Sequence, residues 1–158
     1  MRTCLYYFCK HPDVYQKIQQ EIDDYYESHH LKEPIRYTQT LELPYLVAAA
    51  KEAMRLLPSI TWQLLRHAPA GLVVDGKAIP EGTCVGVSAL AQNRNKDIWG
   101  EDADEFRPER WLESVERANY LSANNMTFGG SGPRTCIGRN IALVSELSLV
   151  HFVEWWLG

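Results

Sequence analysis

Cys136 stands between a glycine-rich loop and an apolar helix, and its neighbours give the sulfur a chemistry. The run Phe128-Gly129-Gly130-Ser131-Gly132-Pro133-Arg134-Thr135-Cys136-Ile137-Gly138 has no regular periodicity, whereas a helical pattern starts at Arg139. A thiol at that junction lies over unpaired helix N-terminal amides, with the Arg134 guanidinium two residues away. Both stabilise a sulfur anion. A thiolate can bind iron or act as a nucleophile. The nucleophile reading lacks a base, because His11, His29, His30, His67 and His151 carry no triad signature.

Glu52 and Arg55 form the second constellation. Three residues apart on one helix, they share a face, and Ala49, Ala50, Ala53, Leu56 and Leu57 around them are apolar. Spacing alone is equally served by an exposed helix pair worth about 0.3–0.5 kcal/mol. A buried pair needs further partners to offset its desolvation. Arg110, in Phe106-Arg107-Pro108-Glu109-Arg110-Trp111, is the natural third member.

The elements that must position these groups are mostly helical. Pro12 opens a helix striped by Val14, Ile18, Ile22 and Tyr25, which fades between Glu27 and Lys32. A second helix follows Pro44, with Leu46, Ala50, Ala53 and Leu57 as its stripe and Pro58 as its end. Short extended segments follow at Leu64 to Ala68, at Leu72-Val73-Val74 returning through Lys77-Ala78-Ile79 across an Asp75-Gly76 turn, and at Thr83 to Val87. From Asn93 to Leu112 the pattern reads as turns and irregular loop, with Asp97, Glu101, Asp102, Asp104 and Glu105 as a solvated face. A last helix, about Gly138 to Trp156, directs Ile141, Val144, Leu147 or Ser148, and Phe152 to a core. Trp99, Trp111, Trp155 and Trp156 are assigned to packing. The fold class expected is mainly α with small β, an α+β arrangement.

Composition narrows the function. A chain of 158 residues that is 46% hydrophobic and 23% charged buries a core. A net charge of -4 without a basic stretch argues against nucleic acid as a partner. Cys4, Cys9 and Cys84 form no CxxC pair and read as reduced, mostly buried thiols. The N-terminal Met1 to Cys9 run is too short for a membrane span and lacks a signal-peptide pattern; it reads as the end of a helix.

Three segments in order carry a family resemblance over nearly the whole chain. Glu52-Ala53-Met54-Arg55 is similar to an ExxR helix, Phe106 to Trp111 to a PERF-type loop with Trp111 where phenylalanine is usual, and Phe128 to Gly138 to a cysteine-ligand loop. Together they resemble the C-terminal part of a cytochrome P450, of the fungal microsomal kind that includes pisatin demethylase-like enzymes. Residues 1–158 would then be the C-terminal portion of a single P450 domain.

That resemblance implies a haem b monooxygenase acting on a small organic substrate, with electrons from NADPH-cytochrome P450 reductase and a parent enzyme in the endoplasmic reticulum membrane. It implies Cys136 as the axial thiolate and metal ligand, Arg134 as a propionate partner and Arg66 as a second one. Phe128 would pack near the sulfur, and Gly132 and Gly138 would permit close approach of backbone to porphyrin and helix. Glu52, Arg55 and Arg110 would be a structural triad. No catalytic residue is assigned.

The departures from the pattern carry expectations of their own. Phe128 lies eight residues before Cys136 instead of the usual seven, an extra residue that a bulge at Gly129-Gly130 would absorb. Leu57 and Asn93 stand where histidine is frequent, which would loosen local hydrogen bonds. Family members are longer, so both ends read as cut, and the oxygen-activating helix would precede Met1. The alternatives are a truncated, inactive remnant or a small helical interaction protein.

Overall fold

The computed structural model describes residues 2–130 and 132–157, with side-chain surroundings up to residue 148. Helix α1 (Arg2–Lys10) leads into α2 (Pro12–His29), which begins on Pro12 and ends where His30 turns into a left-handed conformation (φ 51°). Leu31 N–H then donates to the Tyr26 carbonyl at 3.1 Å, satisfying one of the helix's last acceptors. A short α3 (Tyr37–Thr40) precedes α4 (Pro44–Leu56). Glu21 on α2 accepts the Tyr45 and Leu46 amides, each at 2.8 Å, so one carboxylate caps α4 and fixes it to its neighbour.

The main core lies where α1, α2 and α4 meet. Val14, Ile18, Ile22 and Tyr25 face Cys4, Phe8, Leu46, Ala49, Ala50, Ala53 and Leu56. The alanines on α4 let the helices approach closely, and the spacing of three and four residues produces one continuous apolar face. Leu57, expected on this stripe, is instead exposed, because α4 has already ended at Leu56 and residue 57 no longer follows the helical register.

Four two-residue strands follow. Strand β1 (Arg66–His67) pairs antiparallel with β4 (Cys84–Val85), and β2 (Val73–Val74) with β3 (Lys77–Ala78). The second pair turns at Asp75-Gly76, both with positive φ, as the sequence suggested. Nothing among the described residues covers these ribbons, and Trp62, Leu64, Leu65, Val73, Val74 and Val87 are exposed. Exposure also corrects the expectation for two thiols. Cys4 is buried on the inner face of α1, but Cys9 falls on its outer face and Cys84 lies on the uncovered β4.

The region read as irregular is more ordered than expected. Helix α5 (Ala89–Gln92) leads into it, and it holds α6 (Lys96–Trp99) and a 3-10 turn (Pro108–Trp111). Helix α7 (Val115–Asn124) follows. Ser114 caps α7, its hydroxyl accepting the Arg117 amide at 3.0 Å, and Asn95 caps α6 in the same manner. Trp99 and Trp111 pack here with Ala48, Ala103 and Leu121 in a second buried cluster. Trp155 and Trp156 lie outside the residues whose side chains are described.

Helix α8 (Arg139–Leu157) closes the chain and packs on α1, α3 and α4. Leu147 joins the core, and Glu146 is buried beside it. Ile141 and Val144, expected inside, are exposed, because the packed face of α8 runs through Glu146 and Leu147; the Phe152 side chain lies outside the description. No helix among the described residues is long and apolar enough to cross a membrane.

Candidate functional site

The site rests on a buried carboxylate. Glu52 is wholly buried and accepts from Arg55 Nε at 2.9 Å and Nη2 at 2.8 Å. It also accepts from Arg110 Nε at 2.8 Å, the Trp111 indole N–H at 2.9 Å and the Arg107 backbone amide at 3.2 Å. These donors fill its acceptor capacity, the condition under which a charge can remain buried. The triad of Glu52, Arg55 and Arg110 is therefore brought together, and the exposed-pair reading is excluded. Trp111 adds a partner that phenylalanine could not supply. Its position in the motif is legible in the sequence, but its bond is not.

The two arginines spend their remaining donors on the chain between α5 and the 3-10 turn. Arg55 Nη1 reaches the Asn93 carbonyl at 2.5 Å and the Ala103 carbonyl at 2.7 Å, and Nη2 reaches that of Glu105 at 3.2 Å. Its guanidinium also lies 4.7 Å from the centre of the Trp99 ring. Arg110 reaches the carbonyls of Trp99 and Asp102, both at 2.8 Å, and the Asp102 carboxylate at 3.1 Å. Side chains on a helix thus satisfy the backbone of a segment with little regular pairing of its own.

Asp102, expected on a solvated face, is correspondingly half-buried between Arg107 and Arg110. Partial burial pushes its carboxyl up, but the Arg110 and Arg107 guanidiniums outweigh that and hold it below the usual range. A depressed folded value stabilises the fold above the unfolded value of about 3.8, and the contribution is lost as pH falls through the folded one. Denaturant titrations should accordingly show wild type more stable than Asp102→Asn near neutral pH, with the gap closing below about pH 4. A gap independent of pH would contradict this.

The cysteine loop hangs from the same core. Asn93, fully buried, donates to the Arg55 carbonyl at 3.1 Å and accepts the Met126 amide at 2.8 Å. Thr127 Oγ1 donates to the Met54 carbonyl at 3.2 Å. The expected loosening at Asn93 is thus replaced by a junction between the end of α4 and the start of the loop. Beyond it, Gly129 N–H donates to Met126 O at 3.0 Å, and Gly129 and Gly130 both take left-handed φ values of 84° and 77°. The chain returns so that Cys136 N–H donates to Phe128 O at 2.9 Å. The glycine pair makes the turn at the point where the extra residue was located.

Cys136 is free and exposed immediately before α8. Phe128 is half-buried and Arg134 is exposed. Gly132 has φ 101° with open space where a Cβ would be, so its need for glycine within this chain is conformational and not one of crowding. A Cβ on Gly138 would touch the Cys136 sulfur at 3.8 Å. Arg66 is exposed on β1 and donates to the Leu65 carbonyl at 2.9 Å; no hydrogen bond joins it to the described residues of the cysteine loop.

Ile137, Ile141 and Val144 form an uncovered apolar strip along one side of α8, starting at the residue after the cysteine. No cluster of three His, Cys, Asp or Glu ligands occurs among the described residues. An iron that arrives with its own ring ligands needs only the single sulfur of Cys136 from this chain. An iron porphyrin is such a group, and its apolar faces suit such a strip, so the residues present fit a haem.

Comparison with known proteins agrees with this geometry. A family model described as Cytochrome P450 matches residues 1–153. A cytochrome P450 monooxygenase of Alternaria alternata is 40% identical over 151 residues, covering 95% of this chain and 40% of that protein. Pisatin demethylase of Fusarium vanettenii is 41% identical over 145 residues, 91% of this chain and 27% of its own length. A cytochrome P450 monooxygenase of Aspergillus terreus is 38% identical over 152 residues, 95% of this chain and 31% of that protein. The chain thus spans between 27% and 40% of the length of these relatives. With a buried Glu-Arg-Arg network beneath an exposed cysteine loop and a family match along almost its whole length, the chain belongs to the cytochrome P450 family.

Proposed function

We propose that Cys136 is the axial thiolate of a haem b and that this chain is the cysteine-ligand portion of a monooxygenase. The observation that carries the reading is the exposed sulfur at the head of α8, on a loop tied to the Glu52 network through Asn93. Family membership supports the reaction class. When bound, a haem with a thiolate ligand supplies O2 activation, for which the electron-rich sulfur is suited. The parent enzyme then inserts one oxygen atom into a small organic substrate, using two electrons from NADPH delivered by NADPH-cytochrome P450 reductase. In this reading the parent enzyme resides in the endoplasmic reticulum membrane.

The roles of this chain's residues follow from charge, size and position. The Arg134 guanidinium would hold one propionate, and Arg66 on β1 would supply a second cation. Phe128, whose carbonyl already holds the Cys136 amide, would pack near the sulfur once the haem covers it. Gly132 and Gly138, lacking side chains, would let the backbone approach the porphyrin and the neighbouring helix closely. Glu52, Arg55 and Arg110 hold the underlying segment and take no part in chemistry.

The test is spectroscopic. The chain loaded with haem, reduced and exposed to carbon monoxide should give a thiolate-type Soret band, and Cys136→Ser should lose that band while staying folded. A folded haem complex with intact Cys136 and no such band would refute the assignment. It would favour a remnant or a helical interaction protein instead.

A further inference from the structure

A cavity of about 320 Å3 opens against the cysteine loop, whose Phe128, Gly130, Gly132 and Thr135 form one wall, with α4, the end of α7 and the start of α8 around the rest. Lys51 and Arg139 both line it, together with Trp111, Ser122 and Asn125; Cys136 does not. The Lys51 ammonium lies 5.5 Å from the centre of the Trp111 ring. Burial first, and the Arg139 charge second, hold that ammonium below its usual range. No carboxylate is among the described residues that line the cavity.

Two cations around one partly enclosed space, Lys51 half-buried and Arg139 exposed, with no counter-charge among the described lining residues, are an arrangement an anion completes. Neutral donors are present as well. Asn125 Oδ1 is occupied by the Thr127 amide at 2.8 Å, which leaves its NH2 to donate. The Ser122 hydroxyl makes no hydrogen bond among the described residues. The volume corresponds to about ten waters of liquid, enough for a tetrahedral oxyanion and part of its hydration.

We propose that this cavity binds a small oxyanion of the phosphate class between Lys51 and Arg139, with Asn125 and Ser122 as neutral donors. A guanidinium fork and an ammonium favour a group presenting several oxygens over a halide. The proposal does not rest on the haem reading. Haem content and the carbon monoxide spectrum report on that reading separately.

Inorganic phosphate titrated into the full chain at low chloride, followed by calorimetry and 31P line width, tests it. One saturable site per chain is expected. Lys51→Gln and Arg139→Gln should each weaken it about tenfold or more, and the double variant should lose it with its far-UV circular dichroism unchanged. The pair Lys51→Arg with Arg139→Lys should retain binding. Absence of saturable binding in wild type would overturn the proposal, as would unchanged affinity in the folded double glutamine variant. Adsorption to phosphatidate vesicles without binding of free phosphate would also overturn it.

Discussion

Arg55→Ala should abolish haem incorporation instead of slowing turnover, and should destabilise the fold by about 3–5 kcal/mol. The substitution removes two donors from Glu52 and leaves that carboxylate buried with part of its charge uncompensated. It also strips the carbonyls of Asn93, Ala103 and Glu105 of their Arg55 donor, two of them at 2.7 Å or less. Native domains are stable by roughly 5–15 kcal/mol, so a loss of this size consumes a large share of the total. Arg55→Lys should rescue little, because an ammonium cannot reproduce the guanidinium fork. Haem content per folded chain and denaturant midpoints measure the effect. Normal haem content with an unchanged midpoint would show that Arg55 is not the brace described here.

Most of that brace was legible in the sequence, for a definable reason. Glu52 and Arg55 are fixed relative to each other by helical geometry, and the apolar residues around them pointed inward. Arg110 was reachable only because its motif follows the helix at a recognised distance. Trp111 was read as packing, and it does pack, yet its indole also closes the coordination of Glu52. Which atom of a buried aromatic finds a partner depends on tertiary approach, which leaves no periodic trace.

The misreadings have a common physical origin as well. Ile141, Val144, Cys9 and Cys84 were given to the core by their residue types, but a core position requires an element on the other side. Along α2, where α1 and α4 supply that element, every residue of the predicted stripe is buried. The short helices α5, α6 and α7 were missed because propensity in four to ten residues is weak beside their caps. Ser114 three residues before Arg117, and Asn95 two before Asp97, were the available signals.

Asn93→Ala should produce the second large effect, about 2–4 kcal/mol of destabilisation concentrated at the cysteine loop. The Asn93 side chain is the single group that meets both the Arg55 carbonyl and the Met126 amide, while its own carbonyl receives Arg55 Nη1. Alanine keeps the backbone bond and orphans the buried Arg55 carbonyl and the partly buried Met126 amide. Because Met126 O in turn accepts from Gly129, and Phe128 O from Cys136, slack at residue 126 passes along the loop to the sulfur. Hydrogen exchange resolves this from general destabilisation. The Met126, Gly129 and Cys136 amides should lose protection in Asn93→Ala, while amides in the middle of α2, which Asn93 does not touch, fall only by the global change. Uniform loss throughout the chain would mean that Asn93 stabilises the fold without tethering the loop. Unchanged protection at Met126 would remove the proposed link between the α4 network and the cysteine.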